Sequence, residues 1–306
     1  MPIVQILANS LIRAVELGLL AIGLTMVYDL LKFANFSHTE FAILGAYLAF
    51  LFNVTLGLNI FLSAIGAAIL TGFIGISLDR AIFERLRGVG SVTLMVTSFG
   101  LAIVLRNIVR AIWGADIKGY AIGLQRPVKF LGARMTPIQM WIIAIAALCM
   151  VAFHLLLHKT KLGKSMRATS DNPSLAEASG IDTVKVIRWV WFISTSFAAI
   201  GGILIGLETQ LHPHMGFVLL LPVFCATILG GIGNPYGAVV GALALGLVEN
   251  FGLYFNFGNI INLGGVFDLV GEIYVPTSYK PVISFAILII ILLIRPSGIM
   301  GRKREG

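Results

Sequence analysis

Few residues in this chain could do chemistry. Its 306 residues include five histidines and two cysteines. His154 and His158 stand at i, i+4, so one helix face could offer two nitrogens to a metal. No Glu lies between them in the metalloprotease arrangement, and His212 and His214 are split by Pro213. Gly163-Lys164-Ser165 matches the end of a phosphate-binding loop. That motif needs a Gly five residues before its second Gly, but His158 stands there and no strand precedes it. Cys149 and Cys225 lie within apolar segments and read as small buried residues, not as a disulfide or metal pair. No Ser/His/Asp set and no catalytic carboxylate pair stands out. The expectation is a chain with no metal, no cofactor and no catalytic site of its own.

The ionisable groups inside apolar segments are better pointers: Glu16, Asp29, His38, Glu40, Glu208 and Glu249. A charge at the bilayer centre costs at least about 2.5–3.5 kcal/mol on insertion scales, so each must face a polar cavity, pair within the protein or lie near an interface. Glu40 follows Ser37 by three residues and can complete a capping arrangement with it. There is no dense carboxylate chain of the kind proton-driven pumps use, which points away from an ion gradient as energy source.

The elements that must position these groups are membrane helices. The chain is 58% hydrophobic and 12% charged, against about 25% charged in soluble domains. Apolar runs near the length of a bilayer crossing recur throughout, and Ile283–Ile294 (ISFAILIIILLI) rules out the alternating pattern of a membrane barrel. The fold class is all-α and polytopic, with eight or nine crossings. They run at about 11–31, 35–52, 58–78, 93–113, 137–157, 189–207, 217–229, 236–255 and 281–294. The seventh ends in Gly230-Gly231-Ile232-Gly233-Asn234-Pro235, a sharp backbone break, so it either crosses fully or is re-entrant. Arg106 and Arg110 are placed to snorkel, and Trp189 and Trp191 to anchor at an interface. A Gly- and Asn-rich loop, 256–280, carries Asp268 and Glu272. No cleavable signal peptide is evident, because the first 12 residues lack Lys and Arg and the first apolar stretch holds Arg13 and Glu16.

The net charge of +8 reads as cytoplasmic loops on a membrane protein, not as nucleic-acid binding. Placing the central polar stretch inside also puts 79–90 and the C-terminal tail inside, and these regions with Lys32 hold 14 of the 22 Lys/Arg. The expected topology is N-terminus out and C-terminus in. The loop 114–136 contradicts the rule: it is net +3 (Lys118, Arg126, Lys129 and Arg134 against Asp116) and faces outward. A weak echo between 38–49 and 234–245 aligns Gly45 with Gly241, both suited to close helix approach.

The central stretch, about 159–188, holds a compact helix signal. Asn172 is a good N-cap, Pro173 suits the first helical position, Ala176 and Glu177 favour helix, and Gly180 falls where a C-terminal stop belongs. About two turns of helix are too short to stand alone. The hypothesis is that a separate cytosolic protein holds it.

Several stretches together resemble one family. They are Asn35-Phe36-Ser37-His38-Thr39-Glu40 with Gly45-Ala46-Tyr47; Gly163-Lys164-Ser165-Met166-Arg167-Ala168 with Asp171, Ala176 and Gly180-Ile181; Leu229-Gly230-Gly231-Ile232-Gly233-Asn234 with Gly237 and Gly241; and Arg295-Pro296-Ser297-Gly298-Ile299-Met300-Gly301. The chain resembles the LivH-type permease, the membrane subunit of branched-chain amino-acid ABC importers. It departs from that pattern at Thr39, where relatives tend to carry Gly, a difference that matters if the position needs a positive φ or a close approach. The resemblance implies a single permease domain over 1–306 in a bacterial inner membrane. It implies a second homologous permease chain or a second copy, two cytosolic ATPase subunits and a periplasmic substrate-binding protein. ATP would drive leucine, isoleucine or valine inward. Asn172, Pro173, Ala176, Glu177 and Gly180 would then form the helix that couples to an ATPase. Asn35, Ser37 and His38 are expected on the translocation path, since polar groups at membrane depth should line a cavity. Rival readings are the same machine carrying urea, a short amide or another amino acid, a stand-alone secondary transporter or channel, and a membrane-embedded enzyme.

Overall fold

The computed structural model describes residues 2–123, 125–254, 276, 280–294 and 298–301. Expectations for the loop 256–280, with Asp268 and Glu272, fall almost wholly outside these residues, as do Arg295, Pro296, Ser297 and the basic residues 302–304. The described residues form an all-α polytopic membrane protein. The helices are α1 (Pro2–Leu31), α2 (His38–Phe50), α3 (Ile60–Leu78), α4 (Glu84–Leu86), α5 (Ser91–Trp113), α6 (Pro137–Lys159), α7 (Lys161–Asp171), α8 (Pro173–Ala178), α9 (Thr183–Glu208), α10 (Met215–Gly230), α11 (Pro235–Tyr254) and α12 (Lys280–Ile294). A hairpin of β1 (Val128–Phe130) and β2 (Ala133–Met135) joins α5 to α6. Six helices are long and apolar enough to cross a membrane, α3 running on through a π turn into α4, and α10 and α12 are shorter apolar helices. With α2, every expected apolar segment is a helix, although α1 begins nine residues before the expected start of span 1, at Pro2 and not Leu11.

Between α1 and α2 the chain does not simply turn around. Lys32 adopts a left-handed φ of 52°, and residues 33–37 return into the bundle as irregular backbone. His38, the first residue of α2, lies against Leu20 and Gly23 of α1, eight or more residues back from the end of α1, about 12 Å at 1.5 Å per residue. α2 therefore starts deep inside, and His38–Ala49 are all buried.

α9 is the axis on which the rest packs. It touches α1, α2, α3, α6 and α7. Along its apolar length a run of small residues lets backbones meet. A Cβ on Gly202 would overlap the Ala42 carbonyl of α2, and one on Gly45 would overlap Ala199. Gly72 and Gly75 of α3 leave room for Phe192, Ser196 and Thr195. Both glycines aligned in the weak echo make the close approach they suit: Gly241 of α11 sits against the Ala226 carbonyl of α10, and Gly45 against Ala199. Trp191 is fully buried between Phe41 and Phe83, so it is a core residue and not the interface anchor expected. Trp189, half exposed, fits that role.

Long-range contacts define two ends. At the α8 end, Arg188 of α9 bonds Glu84 at 3.1 Å and Arg87 bonds Asp79 at 2.6 Å. Ser170 of α7 reaches the Asp29 carbonyl, and Gly233 lies beside Asp29. Residues 298–301 also belong here: Ile299 and Met300 donate their amides to the carbonyls of Leu229 and Gly230 at 2.8 and 3.0 Å. They close the end of α10, where Gly231 takes a φ of 109°. At the hairpin end, Gln5 of α1 bonds Arg134, Asn53 accepts the Ala121 amide, and Lys118 pairs with Leu211. Lys32, 79–90 and the central stretch thus gather at one end and the basic loop 114–136 at the other.

Gly202 makes the contact on which this packing depends. We expect Gly202→Val to lower the stability of the purified protein by at least about 2 kcal/mol through overpacking against backbone, read as a fall in thermal midpoint in detergent. Gly88→Ala, where nothing lies within 4 Å, should leave the midpoint unchanged.

Candidate functional site

Two sites draw on the predicted residues. The first is the central stretch, which is more ordered than a loop. Lys161–Asp171 form α7, capped by Thr160, whose hydroxyl accepts the Gly163 amide at 3.1 Å. Gly163 is needed because a Cβ there would overlap the Leu156 and Leu157 carbonyls where α6 folds into α7. The Gly-Lys-Ser string is therefore helical and makes no phosphate loop. Arg167 donates to the Leu157 carbonyl and ties the same corner.

α8 follows with both ends closed. The Asn172 side chain accepts the Leu175 amide at 3.0 Å, with Pro173 at the first helical position. At the other end Gly180 has a φ of 82°. Its amide bonds the Glu177 carbonyl at 2.9 Å, and the Ile181 amide bonds the Ala176 carbonyl at 3.0 Å, a Schellman closure. Asp182 then caps α9 by accepting the Lys185 amide. The Lys185 ammonium and that amide hold its carboxyl below the usual carboxylate range. Within α8 only Ala176 is buried, tucked inward, and Glu177 accepts the Thr183 hydroxyl at 2.5 Å. Asn172, Pro173 and Gly180 are exposed, and Leu175, which the sequence did not single out, presents 64% of its surface to the outside.

The second site is the break before α2. Asn35, Ser37 and His38 are brought together, each at most 1% exposed. The Asn35 side-chain oxygen accepts from the Ser37 hydroxyl at 2.7 Å and from the Ser37 amide at 3.1 Å. His38 uses Nε2 on the Leu20 carbonyl at 2.9 Å, and Ser194 of α9 lies 3.5 Å from Nδ1 while donating to the Gly23 carbonyl. The Asn35 oxygen, Ser37, His38 and Ser194 satisfy one another and the backbone around the break, while the buried Asn35 Nδ2 has no hydrogen-bond partner among the described residues. The side chain turned outward from it is Phe36, half-buried, stacked on Phe224 of α10 at 5.2 Å and edge-on to Phe99 of α5. Its amide donates to Ser98 of α5. Thr39 is ordinary helix with no positive φ, so the residue that departs from the family pattern is accommodated there without backbone strain.

Glu40 does not cap with Ser37, whose backbone is already helical and whose hydroxyl is taken by Asn35. Glu40 instead meets Arg106 of α5, which donates to it from Nε at 3.0 Å and Nη2 at 2.5 Å. Gly216 of α10 leaves space for the carboxylate, and Phe217 covers the guanidinium at 5.0 Å. Arg106 therefore turns into the protein and does not snorkel. Its partner lies 66 residues away, out of reach of local sequence reasoning. Glu249 likewise pairs with Arg13 at 3.2 Å and accepts the Ser284 hydroxyl, and Glu16 lies 3.9 Å from Arg13. His154 and His158 stack at 4.6 Å and share the Tyr236 hydroxyl. Burial and the neighbouring His214 push the His212 imidazole below its ordinary range. Among the described residues no group of three or more His, Cys, Asp or Glu could hold a metal.

The model of a family described as branched-chain amino acid transport system / permease component matches residues 6–292. The chain is 31% identical to the high-affinity branched-chain amino acid transport permease BraD of Pseudomonas aeruginosa, covering 97% of this chain and 95% of that one. It is 28% identical to LivH of Escherichia coli K12 over 97% and 95% of the two chains, and 29% identical to a probable LivH of Methanocaldococcus jannaschii over 97% and 92%.

The Glu40–Arg106 pair gives a direct test. Arg106→Ala leaves a carboxylate buried without its cation, and should cost about 3–5 kcal/mol. Adding Glu40→Gln should recover most of that loss, with both measured as thermal midpoints of the purified protein.

Proposed function

The chain belongs to the branched-chain amino-acid transport permease family and is a permease subunit of an ABC importer; from that premise we propose that it forms the path for leucine, isoleucine and valine into the cell. In this reading one permease domain spans the chain and pairs with a second, homologous permease chain or a second copy. Two ATPase subunits bind at the α8 end, which is cytosolic, and a periplasmic binding protein delivers substrate to the hairpin end. The membrane is the bacterial inner membrane, with the N-terminus outside and the C-terminus inside. The cycle is alternating access, with ATP hydrolysis left to the partner subunits and no covalent step in this chain.

The observation that carries the reading is α8: a capped two-turn helix held by one buried residue, with Leu175 exposed at its tip. Asn172, Pro173, Ala176, Glu177 and Gly180 set its shape, and Leu175 is the surface a partner would seat. Motion of α8 has a stiff route inward. α9 begins three residues after Gly180, following the Asp182 cap, is bolted to α4 through Arg188 and Glu84, and carries Ser194 to His38. Thr183 to Ser194 is 11 residues, about 16 Å along a helix. A tilt of α9 would reach the α2 break and shift Phe36 against Phe99 and Phe224. Asn35, Ser37 and His38 then act by holding the break beside the path, with the Phe36 cluster facing it.

The test is reconstitution with the ATPase subunits and binding protein. Leu175→Asp should abolish ATPase co-purification and lower ATP-driven leucine uptake at least tenfold while folded yield stays unchanged, since Leu175 is exposed. Gly180→Val, forced into a left-handed φ, should do the same with some loss of stability. Labelling of residues 173–179 from the outer face, or solute accumulation by this chain without nucleotide, would overturn the proposal.

A further inference from the structure

The basic loop 114–136 breaks the expected charge pattern, and its surroundings explain what balances it. Beneath it an open groove of about 160 Å³ runs between α3, α6 and α9. Its back wall is Ile142, Ile203 and Leu204, all buried, and the single polar side chain lining it is Gln125. At its rim Phe61 of α3 and Trp141 of α6 meet edge-to-face at 5.4 Å, 45% and 57% exposed. Trp141, amphipathic through its indole N–H, is the kind of residue that settles at the headgroup level of a bilayer.

Ile122 and Gln125 of the basic loop line the groove, and Arg126 follows directly. The hairpin register then sets Lys129 directly opposite Arg134. Like charges facing each other across two strands are destabilising unless an anion lies between them. Arg126, Lys129 and Arg134 are all exposed, and among the described residues none is in an ion pair. The other face of β2 buries Ala133 and Met135 in the same apolar cluster as Ile142 and Leu204, so hairpin and groove share one wall. Apolar slot, aromatic rim and unpaired cations occur together at one level of the bundle.

We infer that this groove binds an anionic phospholipid, one acyl chain lying along Ile142, Ile200 and Leu204 and the headgroup phosphate held by Arg126, Lys129 and Arg134. The bound lipid fastens α6, the least buried of the six long helices, to α3 and α9. Asp116 already pairs with Lys118, so the lipid neutralises the three cations of the loop that have no ion-pair partner among the described residues.

Native mass spectrometry of the purified chain, titrated with phosphatidylglycerol and with phosphatidylethanolamine, reads the binding. The expected result is a preference of about tenfold or more for phosphatidylglycerol, lost in Arg126→Ser/Lys129→Ser/Arg134→Ser, whose side chains are exposed and leave the fold intact. Ala64→Phe, which fills the groove, should abolish binding of both lipids. Should that variant fold poorly, phosphatidylglycerol with brominated chains should quench a fluorescence component that disappears in Trp141→Phe. Equal binding of the two lipids, retention of the preference in the triple serine variant, or protection of Trp141 by a partner permease chain in place of lipid would overturn the assignment.

Discussion

A broken helix inside an apolar bundle has to satisfy its own polar groups, because the bilayer offers none. In this chain that demand falls on residues 33–38. The backbone that leaves α1 at Lys32 comes back into the protein without helical bonds. Ser98 takes the Phe36 amide and Asn35 takes the Ser37 amide and hydroxyl, while His38 and Ser194 cap carbonyls of α1. Ser98 comes from α5, Ser194 from α9 and the capped carbonyls from α1, so the break fixes where α1, α5 and α9 stand relative to one another. The glycine contacts along α9 serve the same end: only where side chains are absent can backbones come close enough for Ser194 to reach both His38 and the Gly23 carbonyl. The polar break and the small-residue seam are one device.

Two kinds of rigidity follow. Along α9 the contacts are short, apolar and backbone to backbone, which suits a strut. Around Glu40 and Arg106 they are electrostatic and buried, and such a pair adds geometry more than net stability. Phe217 lies over the guanidinium, and Gly216 leaves space beside the carboxylate. A membrane transporter that must switch between shapes gains from joints of this sort, because an ion pair that is either made or broken has few intermediate positions.

Local signals in the sequence were sufficient for α8. The N-cap, the first-turn proline and the terminal glycine act within four residues, and the bonds they form are the ones their chemistry implies. Apolar length was likewise enough to place every membrane helix. α7 escaped because its buried residues Gly163, Met166 and Thr169 are too few and too polar to stand out from a charged connector. Arg106 and Trp191 were misplaced for another reason. Amphipathic side chains near helix ends settle at the membrane surface by default, and only partners supplied by remote helices, Glu40 and Phe83, pull these two inward. The polar run before α2 was recognised as important, but whether it lines a cavity or seals a break depends on what surrounds it, which no stretch of six residues can encode.

The last described residues bear on how such a molecule is assembled. Leu229 and Gly230 end their helix with carbonyls that accept from the amides of Ile299 and Met300, 70 positions downstream. During synthesis those carbonyls emerge long before their partners do. The hinge between α10 and α11 must therefore wait, half-finished, until the ribosome has delivered nearly everything that follows, and a nascent chain stalled short of Gly298 would enter the membrane with an unsealed joint.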